Sequence, residues 1–181
     1  MELAQRLRYT YDDYRRWQGD WELIDGFPVA MAPGPFGVHQ FIAGLLYERL
    51  KVALAECPII GPNCYLYPEL DWIVDDYTVV RPDLSLICKK VLEHNTTPPR
   101  LIAEIVSPAS RQIDEQVKFE LYAKEGVPLY ILVLPHLQKV RVFALRDGVY
   151  EKVDEGSEKV IFDIDGCVVE LDVRSFWEIL R

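Results

Sequence analysis

The chain has 181 residues, 50% of them hydrophobic and 27% charged, which suits one folded domain with a core and excludes a disordered chain. Its net charge of −9 disfavours non-specific DNA binding, which depends on Lys and Arg, although carboxylates that hold divalent metals also make a chain acidic. There is no membrane-length apolar stretch and no signal-peptide segment, so we expect a soluble cytoplasmic protein with a single domain over residues 1–181.

The N-terminal half predicts a short helix, a hairpin, a long helix and two extended segments. Thr10 can cap a helix through residue 17, and residues 21–31 predict two strands joined by an Asp-Gly turn. Residues 38–57 predict the longest helix, because their apolar positions recur at helical spacing. Residues 65–74 predict an extended segment, because they are rich in β-forming residues. Residues 79–87 predict a strand that lies at a sheet edge or bends at its proline, which lacks an amide proton.

A strand–helix–strand unit follows. Residues 100–106 predict a short apolar strand, and residues 110–125 predict a helix that ends at Gly126. The buried stripe of this helix is expected to consist of Ile113, Val117 and Leu121. Residues 127–135 form the most hydrophobic segment and predict a central strand. A helix that leads into a buried strand indicates a crossover between parallel neighbours.

The C-terminal part predicts short antiparallel strands over residues 140–145, 148–153 and 160–164, with Asp-Gly turns. Asp172 can cap a final helix that runs to Leu180. The whole chain therefore predicts a mixed α/β fold with a central mixed β-sheet flanked by helices.

The four cysteines are Cys57, Cys64, Cys88 and Cys167. None forms a C-x-x-C pair and the histidines are scattered, so a structural zinc site is disfavoured. We expect four reduced thiols packed as small hydrophobic side chains.

Aromatic and basic residues alternate near the N-terminus. The aromatic residues are Tyr9, Tyr11, Tyr14 and Trp17, and the basic ones are Arg6, Arg8, Arg15 and Arg16. This pattern is more typical of a helix that docks on the core than of a platform for stacking bases, although the basic residues are the best hint of a nucleic-acid contact.

Two acidic residues lie in apolar strand segments. Asp83 follows Pro82, and Glu104 lies within the strand of residues 100–106. A buried carboxylate is costly unless it is paired, protonated or bound to metal, so two acids on successive strands favour a shared divalent ion. Such a centre suits phosphodiester hydrolysis, because it polarises the phosphate and lowers the pKa of water. Taken alone, Asp83 is explained as a turn residue and Glu104 as a strand-end carboxylate that reaches solvent or an arginine.

These residues carry a resemblance to known nucleases. Pro82-Asp83 followed by Glu104-Ile105-Val106 resembles the PD-(D/E)xK pattern, and about residues 10–150 resemble a small bacterial family of restriction-endonuclease-like domains. The matching segments are Trp21 to Gly26, Met31-Ala32-Pro33 with His39, Arg81-Pro82-Asp83, Glu104 to Pro108, Asp114…Lys118…Tyr122, and Gly126 followed by Tyr130 to Val133. The resemblance implies a restriction-endonuclease-like core, a divalent metal (Mg²⁺ or Mn²⁺) and nuclease activity.

The chain departs from this pattern at the expected lysine. The PD-(D/E)xK pattern has Lys two residues after Glu104, where this chain has Val106. In the resembling family the lysine is thought to come from the following helix, which makes Lys118 the candidate and Gln116 a lesser substitute. The alternative for Lys118 is an exposed pair with Asp114, worth about 0.3–0.5 kcal/mol.

The resemblance implies further site residues. Glu22 lies in the shared N-terminal segment and would be an auxiliary acid, with an exposed strand carboxylate as the alternative. The carbonyl of Ile105 would join Asp83 and Glu104 as a metal ligand. His39 could approach phosphate or act as an acid–base group, against the simpler interpretation of a hydrogen-bonded residue near a helix start.

We therefore predict a metal-dependent endonuclease that hydrolyses DNA, with Asp83, Glu104, Lys118 and Glu22 as catalytic residues. The alternative is a catalytically inactive nuclease-fold module that binds nucleic acid or a protein partner, which the negative net charge favours. A two-fold homodimer would suit cleavage of both strands of a duplex.

Overall fold

The computed structural model describes residues 8–31, 37–60 and 63–181, which form the predicted mixed α/β fold. In chain order the elements are α1 (Tyr11–Tyr14), β1 (Trp21–Ile24), β2 (Phe27–Ala30), α2 (Gly37–Ala55), β3 (Tyr65–Pro68), β4 (Trp72–Asp75), β5 (Thr78–Val80), β6 (Leu84–Ile87), β7 (Leu101–Ile105), a π-helical turn (Ile113–Val117) continued by α3 (Lys118–Lys124), β8 (Leu129–Leu134), β9 (Lys139–Arg146), β10 (Val149–Gly156), β11 (Lys159–Ile164), β12 (Cys167–Asp172) and a 3-10 helix (Arg174–Leu180). No helix within these ranges is long and apolar enough to cross a membrane.

The strands form three sheets. The central sheet has the order β10-β9-β8-β7-β6-β3, and a second sheet has the order β2-β1-β5-β4. The third sheet is the β11–β12 hairpin, of which the sequence predicted only the first strand. In the central sheet β7 and β8 are parallel, as the crossover predicted, and the other neighbours are antiparallel.

The central sheet separates two hydrophobic cores. On one face, Leu101 and Ile105 of β7 pack in a core with α2, the β11–β12 hairpin and the C-terminal 3-10 helix. On the other face, Ile102 packs in a second core with α3 and with Trp72 of the four-stranded sheet. Because side chains alternate across a strand, Glu104 faces the second core together with Ile102.

Residues 79–87 were predicted to form one strand, but they form two. The chain leaves the four-stranded sheet after β5 and enters the central sheet as β6, with Pro82 in the connection. The predicted bend at the proline is therefore confirmed. An edge position is wrong, because β6 lies between β3 and β7.

Both predicted terminal helices differ in detail. Thr10 precedes α1 as its cap, but α1 ends at Tyr14 rather than at residue 17. Near the C-terminus the helix is of the 3-10 type, and Asp172 accepts a hydrogen bond from the Arg174 backbone amide at 3.0 Å.

The prediction of four reduced thiols is wrong, because the structure pairs all four cysteines. Cys57 after α2 is bonded to Cys167 at the start of β12, and Cys64 before β3 is bonded to Cys88 after β6. The fold brings these distant segments together, which spacing along the chain did not reveal. The 110-residue separation of Cys57 and Cys167 makes this the cross-link with the larger entropic effect on the unfolded chain, about 4–5 kcal/mol.

The β1–β2 hairpin turns at Asp25-Gly26, where both residues have positive φ. A Cβ on Gly26 would lie 2.7 Å from Arg8 Cβ, whereas Gly148, with the same φ of +81°, has no atom within 4 Å of that position. We expect Gly148→Ala to cost about 1 kcal/mol from backbone strain alone. Gly26→Ala should cost at least about 1 kcal/mol more from the added overlap. Urea denaturation of both variants measures the difference, and equal losses would show that Arg8 moves aside freely.

Candidate active site

Asp83 and Glu104 meet where β6 and β7 part. The pairing of these strands ends at Leu84 and Ala103, so each acid lies one residue beyond it. The backbone amide of Asp83 donates to Glu104 Oε2 at 3.1 Å, and the amide of Ile105 donates to Asp83 Oδ2 at 2.7 Å. The topology therefore brings together the two acids that the sequence singled out, with the Ile105 backbone against Asp83.

Lys118 reaches the same point from the helix that follows β7. Its ammonium lies 3.0 Å from Glu104 Oε1 and 2.8 Å from Glu22 Oε1, and its side chain is 5% exposed. The alternative of an exposed pair with Asp114 is wrong, because Asp114 is buried as well, with Oδ1 3.7 Å from the ammonium. Val106, which replaces the expected lysine, packs in the second core, and Gln116 is exposed.

The buried face of this helix is the polar one. Asp114, Lys118 and Tyr122 are buried, whereas the predicted stripe of Ile113, Val117 and Leu121 is only partly buried. Positions four apart drift by about 40° in a regular α-helix, and the wider π-helical turn offsets this drift. The hydroxyl of Tyr130 donates to the Asp114 carbonyl at 2.9 Å, which satisfies an acceptor within that turn.

Glu22 closes the cluster from the four-stranded sheet. It is buried, so the alternative of an exposed strand carboxylate is wrong. Its Oε1 accepts the backbone amide of Arg81 at 2.7 Å as well as the Lys118 ammonium. One charged cluster thus joins the two sheets through α3.

His39, Asp114 and Tyr122 also belong to the site, although they were not among the predicted catalytic residues. His39 Nε2 lies 3.1 Å from Asp83 Oδ2, near the start of α2. The Tyr122 hydroxyl donates to Glu104 Oε1 at 2.9 Å. The spacing of Asp114 and Tyr122 four residues on either side of Lys118 was the available signal. For His39 the available signal was its place in a segment that matches the resembling family, although the sequence favoured the simpler interpretation.

Burial and charge set the protonation of this cluster. Burial raises the pKa of Glu104 well above its usual value, and Lys118 opposes part of this rise. Burial also raises the pKa of Asp114 to about 6, against the opposing effects of Lys118 and of a hydrogen bond to Ser110. Burial lowers the pKa of Lys118, but Glu104, Glu22 and Asp114 outweigh it and raise that pKa well above normal, so the ammonium stays charged.

The pKa of His39 is raised as well. Burial lowers it, but the hydrogen bond to Asp83 and the charges of Asp83, Glu69 and Asp114 outweigh that effect. The other ring nitrogen, Nδ1, is buried without a hydrogen-bond partner among the described residues. His39 is therefore hydrogen-bonded near a helix start, as the simpler interpretation had it, and its partner is a site carboxylate.

A cavity of about 200 Å³ opens onto this cluster. Its charged and polar lining comprises Glu22, His39, Glu69, Arg81, Asp83, Glu104, Ser107, Ser110, Asp114 and Lys118. Met31 also lines it, whereas Ala32 and Pro33 of the same matching segment lie outside the described residues. A small polar ligand can therefore reach both strand acids.

The donor set fits a hydrated divalent ion better than a closed metal cage. Within the three described ranges, no group of three or more His, Cys, Asp or Glu side chains is arranged to hold a metal. Asp83 Oδ1, however, accepts no hydrogen bond from the described residues, and its partner oxygen Oδ2 is held in place by two. Mg²⁺ is commonly bound by one or two carboxylates and several waters, which this arrangement can supply.

Comparisons with known proteins match this chain to a nuclease-like family and to a solved structure with a similar fold. The family model Uma2, described as "Putative restriction endonuclease", matches residues 11–169. A "putative nuclease belonging to DUF820" from Anabaena variabilis superposes with a TM-score of 0.74 at 18% identity, covering 95% of this chain and 99% of that one. No curated protein matches the sequence. The structural likeness supports the fold and the family match supports a nuclease-like function, and the chain belongs to the Uma2 family of putative restriction endonucleases.

Proposed function

We propose that the protein is a Mg²⁺- or Mn²⁺-dependent endonuclease that hydrolyses phosphodiester bonds of DNA. The observation that carries this proposal is the convergence of Asp83, Glu104 and Lys118 on one cavity, with the lysine supplied by α3 instead of β7. Four carboxylates of this cluster line the cavity, those of Glu22, Asp83, Glu104 and Asp114. The Lys118 ammonium lies 2.8 Å from Glu22, 3.0 Å from Glu104 and 3.7 Å from Asp114. Burial and the neighbouring carboxylates raise the pKa of Glu104 and of Asp114, and a bound divalent cation would favour the ionised form of both.

Each residue has a separate role in this proposal. Asp83 and Glu104, with the Ile105 carbonyl, would hold the cation, which when bound polarises the phosphodiester and lowers the pKa of water. Lys118 lies on the cavity wall, where its charge stabilises the negative charge that develops on the phosphate. Glu22 also contacts the Lys118 ammonium, at 2.8 Å, and would be the auxiliary acid.

Asp83→Asn is the substitution that removes a charge from the proposed metal site with the least change to its hydrogen bonds. Only Oδ2 of Asp83 accepts hydrogen bonds from described residues, so an asparagine oxygen can take its place and direct the amide group into the cavity. Glu104→Gln would disturb more hydrogen bonds, because both carboxylate oxygens accept from donors. Lys118 and Tyr122 donate to Oε1, and the Asp83 amide donates to Oε2. A glutamine amide would face one of these donors and leave it unpaired.

We expect Asp83→Asn to weaken Mn²⁺ binding at least tenfold, or about 1.4 kcal/mol, in titration calorimetry. Metal-dependent cleavage of plasmid and single-stranded DNA should be lost with it. Asp12→Asn, which removes an exposed carboxylate, is the matched control and should bind Mn²⁺ as the wild type does.

Two results would contradict the proposal. Unchanged Mn²⁺ binding by Asp83→Asn would place the metal elsewhere. Absence of binding by the wild type, both without and with DNA, would favour the inactive module that binds nucleic acid or a protein partner, which the net charge of −9 also favours.

A further inference from the structure

A second cavity, of about 220 Å³, shares Arg81 with the catalytic one, and its wall combines aromatic side chains with polar groups that include Arg15, Asp71 and Arg81. Its rings are those of Tyr11, Tyr14, Trp17, Trp21 and His94. The rings contact one another along a chain, with centroids 5.6 Å apart for Tyr14 and Trp17 and 5.9 Å apart for Trp17 and Trp21. The N-terminal aromatic residues thus do dock α1 on the sheet, but they also enclose a space that their own packing leaves open.

The two cavities share a wall. Arg81 lines both of them, and the neighbouring residues Trp21 and Glu22 of β1 line the second and the first cavity, respectively. Since neighbouring side chains of a strand point to opposite faces, the cavities lie on the two sides of β1. Arg81, which lines both cavities, is the residue at which a ligand in one cavity is nearest to the other.

Polar groups at the second cavity are fixed in place. Arg81 Nε donates to Asp71 Oδ1 at 2.6 Å and its Nη1 donates to Asp20 Oδ1 at 2.9 Å. The Tyr14 hydroxyl donates to Asp71 Oδ2 at 3.0 Å. Aromatic faces combined with oriented donors and acceptors are the elements that bind an unstacked nucleobase, through stacking and through hydrogen bonds to its edge.

The charge of the chain also favours base contacts over phosphate contacts. Duplex binding depends mainly on cations that neutralise phosphates, and this chain carries a net charge of −9. Both cations of the second cavity have acidic partners: Arg81 pairs with Asp71 and Asp20, and Arg15 pairs with Asp12. At this cavity, contacts to bases are therefore favoured over contacts to phosphates.

We infer that the aromatic cavity binds an unpaired nucleobase next to the bond held in the catalytic cavity, so that the substrate is single-stranded or locally unpaired DNA. This inference rests on the proposed nuclease function, to which it adds the substrate class.

The test measures binding of a single-stranded 12-mer oligothymidylate in EDTA, by quenching of tryptophan fluorescence. Trp72 and Trp177 are buried in the cores, so quenching reports on Trp17 and Trp21. We expect quenching by the single strand, little by its duplex with oligoadenylate, and roughly tenfold weaker binding by Trp17→Leu. The matched control is Phe27→Leu, which removes an exposed ring of β2 outside both cavities and should bind within about twofold of the wild type.

His94→Ala keeps the test valid if Trp17→Leu proves unstable. His94 is exposed, so the variant should fold, and we expect it to bind the oligonucleotide several-fold more weakly. Wild-type binding by this folded variant, or binding of the duplex as tight as that of the single strand, would overturn the inference. Because EDTA removes divalent ions, these results are independent of the Mn²⁺ titration, and either proposal can fail without the other.

Discussion

Replacing Lys118 with methionine is expected to lower the free energy of unfolding by about 3–5 kcal/mol at pH 7 and to abolish cleavage. The substitution leaves Glu22 and Glu104 buried without the ammonium that lies 2.8 Å and 3.0 Å from them. Methionine has a similar length, so the loss reflects charge and not an empty volume. Urea denaturation at pH 7 measures the effect.

The control is Lys124→Met on the same helix, whose side chain is 76% exposed and whose substitution should change stability by no more than about 0.5 kcal/mol. The difference in the free energy of unfolding between Lys118→Met and wild type should also shrink as the pH falls, because burial raises the pKa of Glu104 and its protonation removes uncompensated charge. A loss below about 1 kcal/mol at pH 7 would mean that the carboxylates are stable without the cation.

Asp114→Asn is expected to stabilise the protein above pH 6, by at most about 3 kcal/mol. Burial raises the pKa of Asp114 from 3.8 to about 6, and a difference of two units corresponds to about 3 kcal/mol. Between pH 4 and pH 6 the folded state binds more protons at this group than the unfolded state does, so stability falls as the pH rises through this window. Asparagine does not ionise, and it nearly preserves the shape of the side chain.

The gain in the free energy of unfolding of Asp114→Asn over wild type should therefore be small at pH 4 and largest above pH 6. Urea denaturation across that range measures it. Glu120→Gln, an exposed change on α3, controls for the removal of one negative charge and should be nearly neutral. A gain that is the same at pH 4 and pH 7 would show that ionisation of Asp114 is not its cause. A gain that appears only above pH 6 would instead show that the fold retains an ionised site carboxylate at the expense of stability.

Much of the fold follows from patterns in the sequence. The Asp-Gly turns, the apolar stripe of α2 and the crossover from β7 to β8 predicted their elements and the parallel pair. Contacts between distant segments were not predictable, because they depend on how sheets stack. The division of residues 79–87 between two sheets and the pairing of the cysteines are of this kind.

The site was predicted in part. Acids in apolar strands indicated Asp83 and Glu104, and the resemblance indicated Glu22 and Lys118, all of which the structure brings to one cluster. The burial of Asp114 was not foreseen, because hydrophobicity favoured the apolar face of the helix. Polar side chains occupy the buried face here because partners on both sheets satisfy them, and no pattern within one helix reveals such partners.

The same cluster has a consequence for local opening. Glu22 lies on the four-stranded sheet and Glu104 on the central one, so at this end the sheets are joined by like charges that share one ammonium. Burying these charged groups between the sheets costs desolvation free energy, whereas burying the apolar side chains around Trp72 does not. The sheets should therefore separate first at the cavity. The Arg81 amide, which donates to Glu22, is placed to report this separation as faster hydrogen exchange than in the strands of the second core.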